Sequence, residues 1–315
     1  MNGHCEVFCA GNAVADVLAR PVDHLAPPGT SQRLEDVVLG PGGNSINTGI
    51  ALARLGVGVR IAAALGEDRF GQFLRERVRA EGIDDSGLVT LPGAKTSTSI
   101  VLVQATGERR FLHLRGVSAH FSEQHLDWTR VEGARVFHYA SAFALPAFDG
   151  APLARTLRRA REIGCLTSVN ICWDVEGRWL PLLEPALVCV DFIFPNREEG
   201  QQLTGESEPA AMARRLRGLG VKTVIVKLGA AGCYVESPQG AFTSPGFPVH
   251  PVDTTGAGDC FAAGFLAALC RGQSLAEAAR HANAAGALAT LGLGGADSAP
   301  TSAEMEGFLQ LHASS

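Results

Sequence analysis

Asp253-Thr254-Thr255-Gly256-Ala257-Gly258-Asp259 lies between a Pro/Val-rich extended stretch and an apolar helical segment that carries Phe261, Phe265 and Leu269 on one face. Gly256 and Gly258 let the backbone turn tightly and present free N–H groups at a helix N-terminus, an arrangement suited to an anion. A phosphate is the expected guest. Asp259 beside it puts a carboxylate within reach of a hydroxyl attacking a terminal phosphoryl group, a transfer that needs mainly positioning and charge stabilisation. An isolated Gly-x-Gly would equally fit a tight loop with Asp259 merely capping the helix.

Upstream, Gly40-Pro41-Gly42-Gly43-Asn44-Ser45-Ile46-Asn47-Thr48-Gly49 leads into the helical run Ile50 to Leu55. Adjacent glycines let a backbone approach a ligand closely, and Asn47 can both donate to and accept from a hydroxyl. Asn44 or Ser45 capping the helix is the plainer reading. Asp16 follows the first apolar run, where a turn residue is common, yet a carboxylate there can accept two hydroxyl hydrogens at once. In Phe194-Pro195-Asn196-Arg197-Glu198-Glu199 an amide can hold a phosphate oxygen, and a carboxylate one turn on can hold Mg²⁺ through water; a capped helix start reads the same way.

These segments sit in an α/β pattern, short β-branched runs alternating with amphipathic stretches as in a mainly parallel sheet flanked by helices. Strands are expected at Val7 to Ala10, Arg60 to Leu65, Arg135 to Tyr139, Leu166 to Asn170, Asp191 to Phe194 and Thr223 to Lys227. Helices are expected at Ser45 to Leu55, Arg69 to Glu81, Leu153 to Ile163, Ala210 to Leu219, Cys260 to Cys270, Leu275 to Leu291 and Ser302 to Leu311. Two segments break the alternation: Asp16 to Leu39, and a hairpin in which Ser99 to Val103 and Arg110 to Leu114 flank Ala105-Thr106-Gly107-Glu108. Such strands often form a small separate sheet over a cleft.

With 315 residues, 46% apolar and 19% charged, the chain reads as an ordinary globular protein, and a formal charge of −5 offers no basic field for nucleic acid or anionic membrane. Met1-Asn2-Gly3-His4 lacks the features of a secretory signal, and the apolar stretch from Cys260 to Cys270 is too short to span a bilayer. A cytoplasmic protein is expected. Most of the eight cysteines lie in apolar segments, as buried thiols do in a reducing compartment. Without Cys-x-x-Cys, a P-loop string, His-Glu-x-x-His, Gly-x-Ser-x-Gly or a first-strand Gly-x-Gly-x-x-Gly, the corresponding enzyme classes lose their sequence support.

The two glycine strings and the weaker Asn-x-x-Glu, in this order, resemble the signatures of the ribokinase (PfkB-type) carbohydrate kinases across nearly the whole chain. The resemblance implies a three-layer α/β/α fold spanning 1–315, with approximately 12–40 and 95–118 forming a small β lid. It implies ATP and Mg²⁺ as cofactors and a sugar-like small molecule as substrate. Asp259 takes the role of base, with Gly256, Ala257 and Gly258 as anion hole, while Asp16, Gly42, Gly43 and Asn47 bind substrate. Arg115 sits where lid residues often meet substrate. Asn196, Glu199, Lys227, Gly229, Gly232 and Asn283 fall to the nucleotide side, Glu199 holding Mg²⁺ through water. Asp253, Thr255, Gly294 and Ser298 match positions that hold a monovalent cation, K⁺, in ribokinase itself.

Departures bear on the substrate. Ribokinase has an asparagine and a glutamate where Val14 stands and Ser141 lies nearby, so ribose is not the expected preference. Ser168-Val169-Asn170-Ile171-Cys172 differs from the Asp-Pro-Asn-x-Arg of ketodeoxygluconate kinase relatives, so a sugar acid loses its arginine. A sugar kinase is the first reading, and a nucleoside kinase, for which Phe111, Phe121 and Phe143 could supply stacking, is the second. A silent binding protein is third, disfavoured because Asp259 and both glycines are present. Unpaired lid edges predict a homodimer through the lid.

Overall fold

The computed structural model describes residues 6–106 and 108–312. The Met1-Asn2-Gly3-His4 start and the hairpin residue Gly107 therefore lie outside the described residues. The strands are β1 (Val7–Ala10), β2 (Val14–Arg20), β3 (Asp36–Gly42), β4 (Val59–Gly66), β5 (Leu88–Leu91), β6 (Ser97–Val103), β7 (Arg109–Leu114), β8 (Val136–Ala142), β9 (Leu166–Ile171), β10 (Phe192–Phe194), β11 (Thr223–Lys227), β12 (Cys233–Ser237) and β13 (Gly240–Ser244).

A nine-stranded sheet runs in the order β13-β12-β11-β10-β9-β8-β1-β4-β5. From β5 to β11 neighbours are parallel, and β12 and β13 add an antiparallel edge. The central strands β1 and β8 are buried at every position because both faces are covered: Val7 and Cys9 of β1 enter one core, Phe8 and Ala10 the other. Helices Asn44–Arg54, Ala257–Cys270 and Leu275–Ala289 cover the first face, and Ala151–Glu162, Trp179–Leu187, Arg197–Thr204 and Pro209–Gly218 the second. This is the expected three-layer α/β/α arrangement. The helix Ala257–Cys270 is buried nearly all round, and a side chain on Gly264 would meet Ala285 Cβ at 2.7 Å, so glycine lets the alanine-rich helix Leu275–Ala289 pack backbone to backbone.

The second sheet has the order β3-β2-β6-β7, with β2 and β6 parallel and the outer pairs antiparallel. The hairpin read around residues 105–108 is its β6–β7 pair. The row Gly40, Asp16, Ser99, His113 shares one face, and the neighbouring row Leu39, Val17, Ile100, Leu112 shares the other. Three strands escaped the sequence reading, β5, β12 and β13. All three are short; β5 and β13 are partly exposed, and β12 is mostly buried but ends in the polar pair Glu236-Ser237, so the apolar pattern is diluted. The helix expected from Cys260 starts at Ala257, which puts Asp259 in its first turn.

Candidate active site

The order in which strands are laid down reverses at β1, which sits between β4 and β8, and ligands of open α/β sheets bind beyond the strand C-termini at such a point. Asn170 from β9, Asn196 after β10 and Lys227 at the end of β11 converge there on Asp259. Asp259 is buried, and no side chain caps its helix, so its carboxylate is free of the capping role. Asn44 Nδ2 and Asn170 Nδ2 donate to its Oδ1 at 2.9 and 3.0 Å, and Asn47 Nδ2 donates to its Oδ2 at 2.9 Å. Lys227 Nζ in turn donates to Asn170 Oδ1 at 2.9 Å. Burial pushes the Asp259 carboxyl above its ordinary range, and the three amides and the lysine charge oppose that shift.

Gly256 caps this helix with φ 72°, a left-handed conformation, and a side chain there would strike Gly295 Cα at 2.6 Å. Ala257 N–H donates to Thr254 O at 3.3 Å. The first amides of any helix lack intrahelical acceptors, and here they open beside Lys227, whose Nζ lies 3.2 Å from where a Gly258 Cβ would stand. Asn196 and Glu199 cap one another: Glu199 N–H donates to Asn196 Oδ1 and Asn196 N–H to Glu199 Oε2, both at 2.7 Å. Glu199 also lines the cleft. Burial raises its carboxyl, against the pull of Lys227.

Beneath the small sheet, Asp16 lies against Gly42, where a Cβ would fall 2.0 Å from Asp16 Oδ2. Glycine is thus required for the carboxylate to sit there. Gly43 has φ 87° with Asn12 O pressed against it, which fixes the helix entry. Burial raises the Asp16 carboxyl to about 6, opposed by the Ser99 hydroxyl. Ser99 Oγ also meets His113 Nδ1 at 3.1 Å, and burial holds that imidazole below its usual value, with Arg115 adding to the effect. Two cavities, of about 730 Å³ beside Asp16 and about 710 Å³ beside Asp259, share Phe111 as a common wall.

A profile described as pfkB family carbohydrate kinase matches residues 5–302. The chain belongs to this family. It is 34% identical over 284 residues to Fructokinase-1 of Zea mays, covering 84% of this chain and 87% of that one. It is 33% identical over 306 residues to the ATP-dependent ribose-1-phosphate kinase of Halopiger xanaduensis, covering 96% and 97%. The ribokinase crystal structure from Thermotoga maritima superposes with a TM-score of 0.84 at 27% identity, over 97% of this chain and 99% of that one. The protein is a PfkB-family phosphotransferase, a sugar or nucleoside kinase with a ribokinase-like fold.

Within that family frame, several expected site residues stand elsewhere. Arg115 lines neither cavity; its guanidinium pairs with Glu176 Oε1 at 3.0 Å on the surface. Asn283 is buried, with Nδ2 donating to Ser244 O, Ser244 Oγ and Pro245 O at 3.0 to 3.1 Å, so it ties down the loop after β13 instead of offering a free donor to a base. Gly229 and Gly232 serve the turn between β11 and β12, where a side chain on Gly232 would meet Ser244 O at 2.1 Å. Of the set matched to K⁺, Asp253 pairs with Arg109 and accepts from Thr255 and Gly294, while Ser298 Oγ donates to Gly294 O at 2.5 Å. Phe121 and Phe143 are buried in the core; Phe111 alone of the three aromatic candidates reaches the cleft.

Other residues went unrecognised. Asn44 reads in sequence as a cap, and Asn170 stands in a segment that departs from a relative's motif around it, yet both hold Asp259. A polar residue ending a buried strand, as Asn170 does in β9, is the signal that could have found one of them. Trp173 lines the Asp259 cavity at 54% exposure, braced edge-on by Trp179 at 5.0 Å.

Proposed function

We propose that the protein transfers the γ-phosphoryl group of ATP to a hydroxyl of a neutral sugar, with Asp259 as general base. The observation that carries this reading is the Asp259 carboxylate, held by three amides in one orientation directly beside a glycine loop at a helix N-terminus. The acceptor O–H gives its proton to Asp259 as its oxygen attacks the γ-phosphorus. The bond from that phosphorus to the β–γ bridging oxygen breaks, and ADP leaves. The amides of Gly256, Ala257 and Gly258, with Lys227, stabilise the charge on the transferring group. Orientation by Asn44, Asn47 and Asn170 lowers the reorganisation Asp259 needs when it takes the proton.

Glu199 is a buried carboxylate whose Oε2 serves the cap and whose pKa burial raises, with Asp259 and Glu198 adding negative charge nearby, so a divalent cation fits beside it. Glu199, through water, and Asn196 would hold Mg²⁺ with the phosphates. When bound, Mg²⁺ supplies charge neutralisation on the phosphate oxygens. Asp16, Gly42, Gly43 and Asn47 are proposed to hold the acceptor; Asn47 Oδ1 is buried without a partner, an acceptor that a substrate hydroxyl would satisfy. The neutral-sugar preference follows from charge: in the Asp16 cavity Arg20 is paired with Asp36 and Arg109 with Asp253, which among the described lining residues leaves no free cation for an acceptor phosphate. A nucleoside acceptor is the second reading, favoured by Phe111 and Trp173, both more than half exposed on the same cavity.

The chain is proposed to act as one α/β unit over 1–315 in which the small sheet closes as a lid and excludes water. Val37, Leu39, Ile100, Leu112 and Leu114 leave its outer face apolar and exposed, which supports pairing of two lids in a homodimer. Sedimentation showing only monomer at micromolar concentration would count against that. Cys9, Cys172, Cys189, Cys233 and Cys260 are free thiols, which suits the proposed cytoplasmic setting. Among the described residues no helix is long and apolar enough to cross a membrane. The decisive experiment is ADP release with Mg-ATP against a panel of sugars, sugar phosphates and nucleosides. Release with a neutral sugar is expected; silence with every acceptor would sink the reading.

A further inference from the structure

Arg109 opens β7 and reaches from the small sheet to the start of the glycine loop. Its Nη1 pairs with Asp253 Oδ1, and its Nη2 donates to Thr254 Oγ1 at 3.2 Å. The contact is sheltered, with side-chain exposures of 18% for Arg109 and 5% for Asp253. Asp253 Oδ1 also accepts from Thr255 N–H at 2.7 Å, and Oδ2 accepts from Gly294 N–H at 3.0 Å. Ser298 Oγ is committed to Gly294 O. Burial works against the charged form of Asp253, but these donors and the guanidinium outweigh it and hold the carboxyl below its ordinary range. The side-chain donors that the ribokinase resemblance assigns to a monovalent cation are therefore already engaged, and the carboxylate already faces a positive charge. They do not fit an alkali-metal ion.

We propose that Arg109 is a tethered substitute for that ion: its guanidinium neutralises Asp253, ties the small sheet to the 253–259 loop, and makes phosphoryl transfer by this enzyme independent of K⁺. A guanidinium stays charged at any working pH and donates in a fixed fork, so it holds two neighbouring oxygens as a dissolved ion would not. Because it rides on the small sheet, its charge arrives at the loop only when that sheet is down. Loop order and cleft closure become one event. Removing the guanidinium leaves a buried, unpaired carboxylate, which is costly and which a small cation could then relieve. Arg109 acts here through the loop, as a positioning residue.

The inference rests on reading residues 253–259 as the phosphate loop, so its test has one arm without turnover. Wild type, Arg109→Lys and Arg109→Gln are compared in potassium and in choline chloride at matched ionic strength. Turnover of wild type should agree within about twofold between the salts. In choline, Arg109→Gln should lose roughly tenfold in kcat, within the usual range of coupling between two sites, and potassium should restore most of it. Arg109→Lys, which keeps the charge, should fall between them and ignore potassium. Without substrates, potassium should raise the unfolding midpoint of Arg109→Gln relative to choline and leave wild type unmoved. Strong potassium activation of wild type, an equal rise of its midpoint, or a loss in Arg109→Gln that potassium leaves untouched overturns the proposal. Absence of turnover with any acceptor would defeat the kinase reading, and the unfolding arm would still decide the role of Arg109.

Discussion

Two carboxylates face the cleft from opposite sides, Asp259 buried and Asp16 half-buried, and their surroundings differ. Asp259, on the floor, is gripped by three asparagine amides with a lysine behind them. Asp16, on the underside of the small sheet, has the Ser99 hydroxyl as its partner and a glycine hollowed out to admit it. The floor sits on a sheet buried on both faces; the small sheet has one face exposed. A group that must act on a fixed atom is over-determined, whereas a group that must accept a variable guest keeps spare capacity. Under the proposed function, chemistry falls to the floor and selection to the small sheet.

The contrast can be broken first at the floor. Asp259→Asn should lower kcat by roughly two to four orders of magnitude with ATP affinity nearly unchanged, measured by steady-state turnover and nucleotide titration. Asn170→Ala should cost about ten- to a hundredfold in kcat, because it removes both a donor to Asp259 and the link to Lys227. It also removes a bond favouring the charged carboxylate, so the acid limb of the kcat–pH profile should move to higher pH than in wild type. A limb that stays in place would show that Asn170 does not act through Asp259.

Asp16→Asn tests the other side, and should raise the acceptor KM about tenfold with a smaller change in kcat. A loss confined to kcat would erase the division of labour. The same variant reports on stability in the free protein. A carboxyl raised from 3.8 to about 6 by folding favours the folded state at low pH and loses that contribution as pH rises through 6. The unfolding midpoint of wild type relative to Asp16→Asn should therefore fall by about 2–4 °C between acidic and neutral pH. Smallest of all, Arg115→Ala should change kcat/KM by less than about twofold, since an exposed pair with Glu176 is worth little.

The floor was more legible than its support. Residues 253–259 announce themselves because glycines and an aspartate must be contiguous to build a turn and an anion site. The partners of Asp259 lie 215, 212 and 89 residues away, and an asparagine in isolation reads as a cap or a turn. The helices Asn44–Arg54, Arg69–Ala80, Ala151–Glu162 and Ala257–Cys270 and the central strands were readable from apolar period, while Trp179–Leu187, with Pro185 inside it, and the short β12 and β13 were not. Arg109 was invisible for another reason: an arginine at the start of an exposed strand carries no mark of the loop it meets across the cleft. Asn283, placed on the nucleotide side by the family resemblance alone, gives no sign in its sequence context that it packs against the loop after β13.

That the clamp around Asp259 is drawn from segments so distant in the chain has a consequence for synthesis. A nascent chain that has made the first glycine string and β9 still lacks the helix Ala257–Cys270, and with it the Asp259 carboxylate that Asn44, Asn47 and Asn170 hold. The clamp therefore exists only once the helix Ala257–Cys270 has docked onto the rest of the polypeptide.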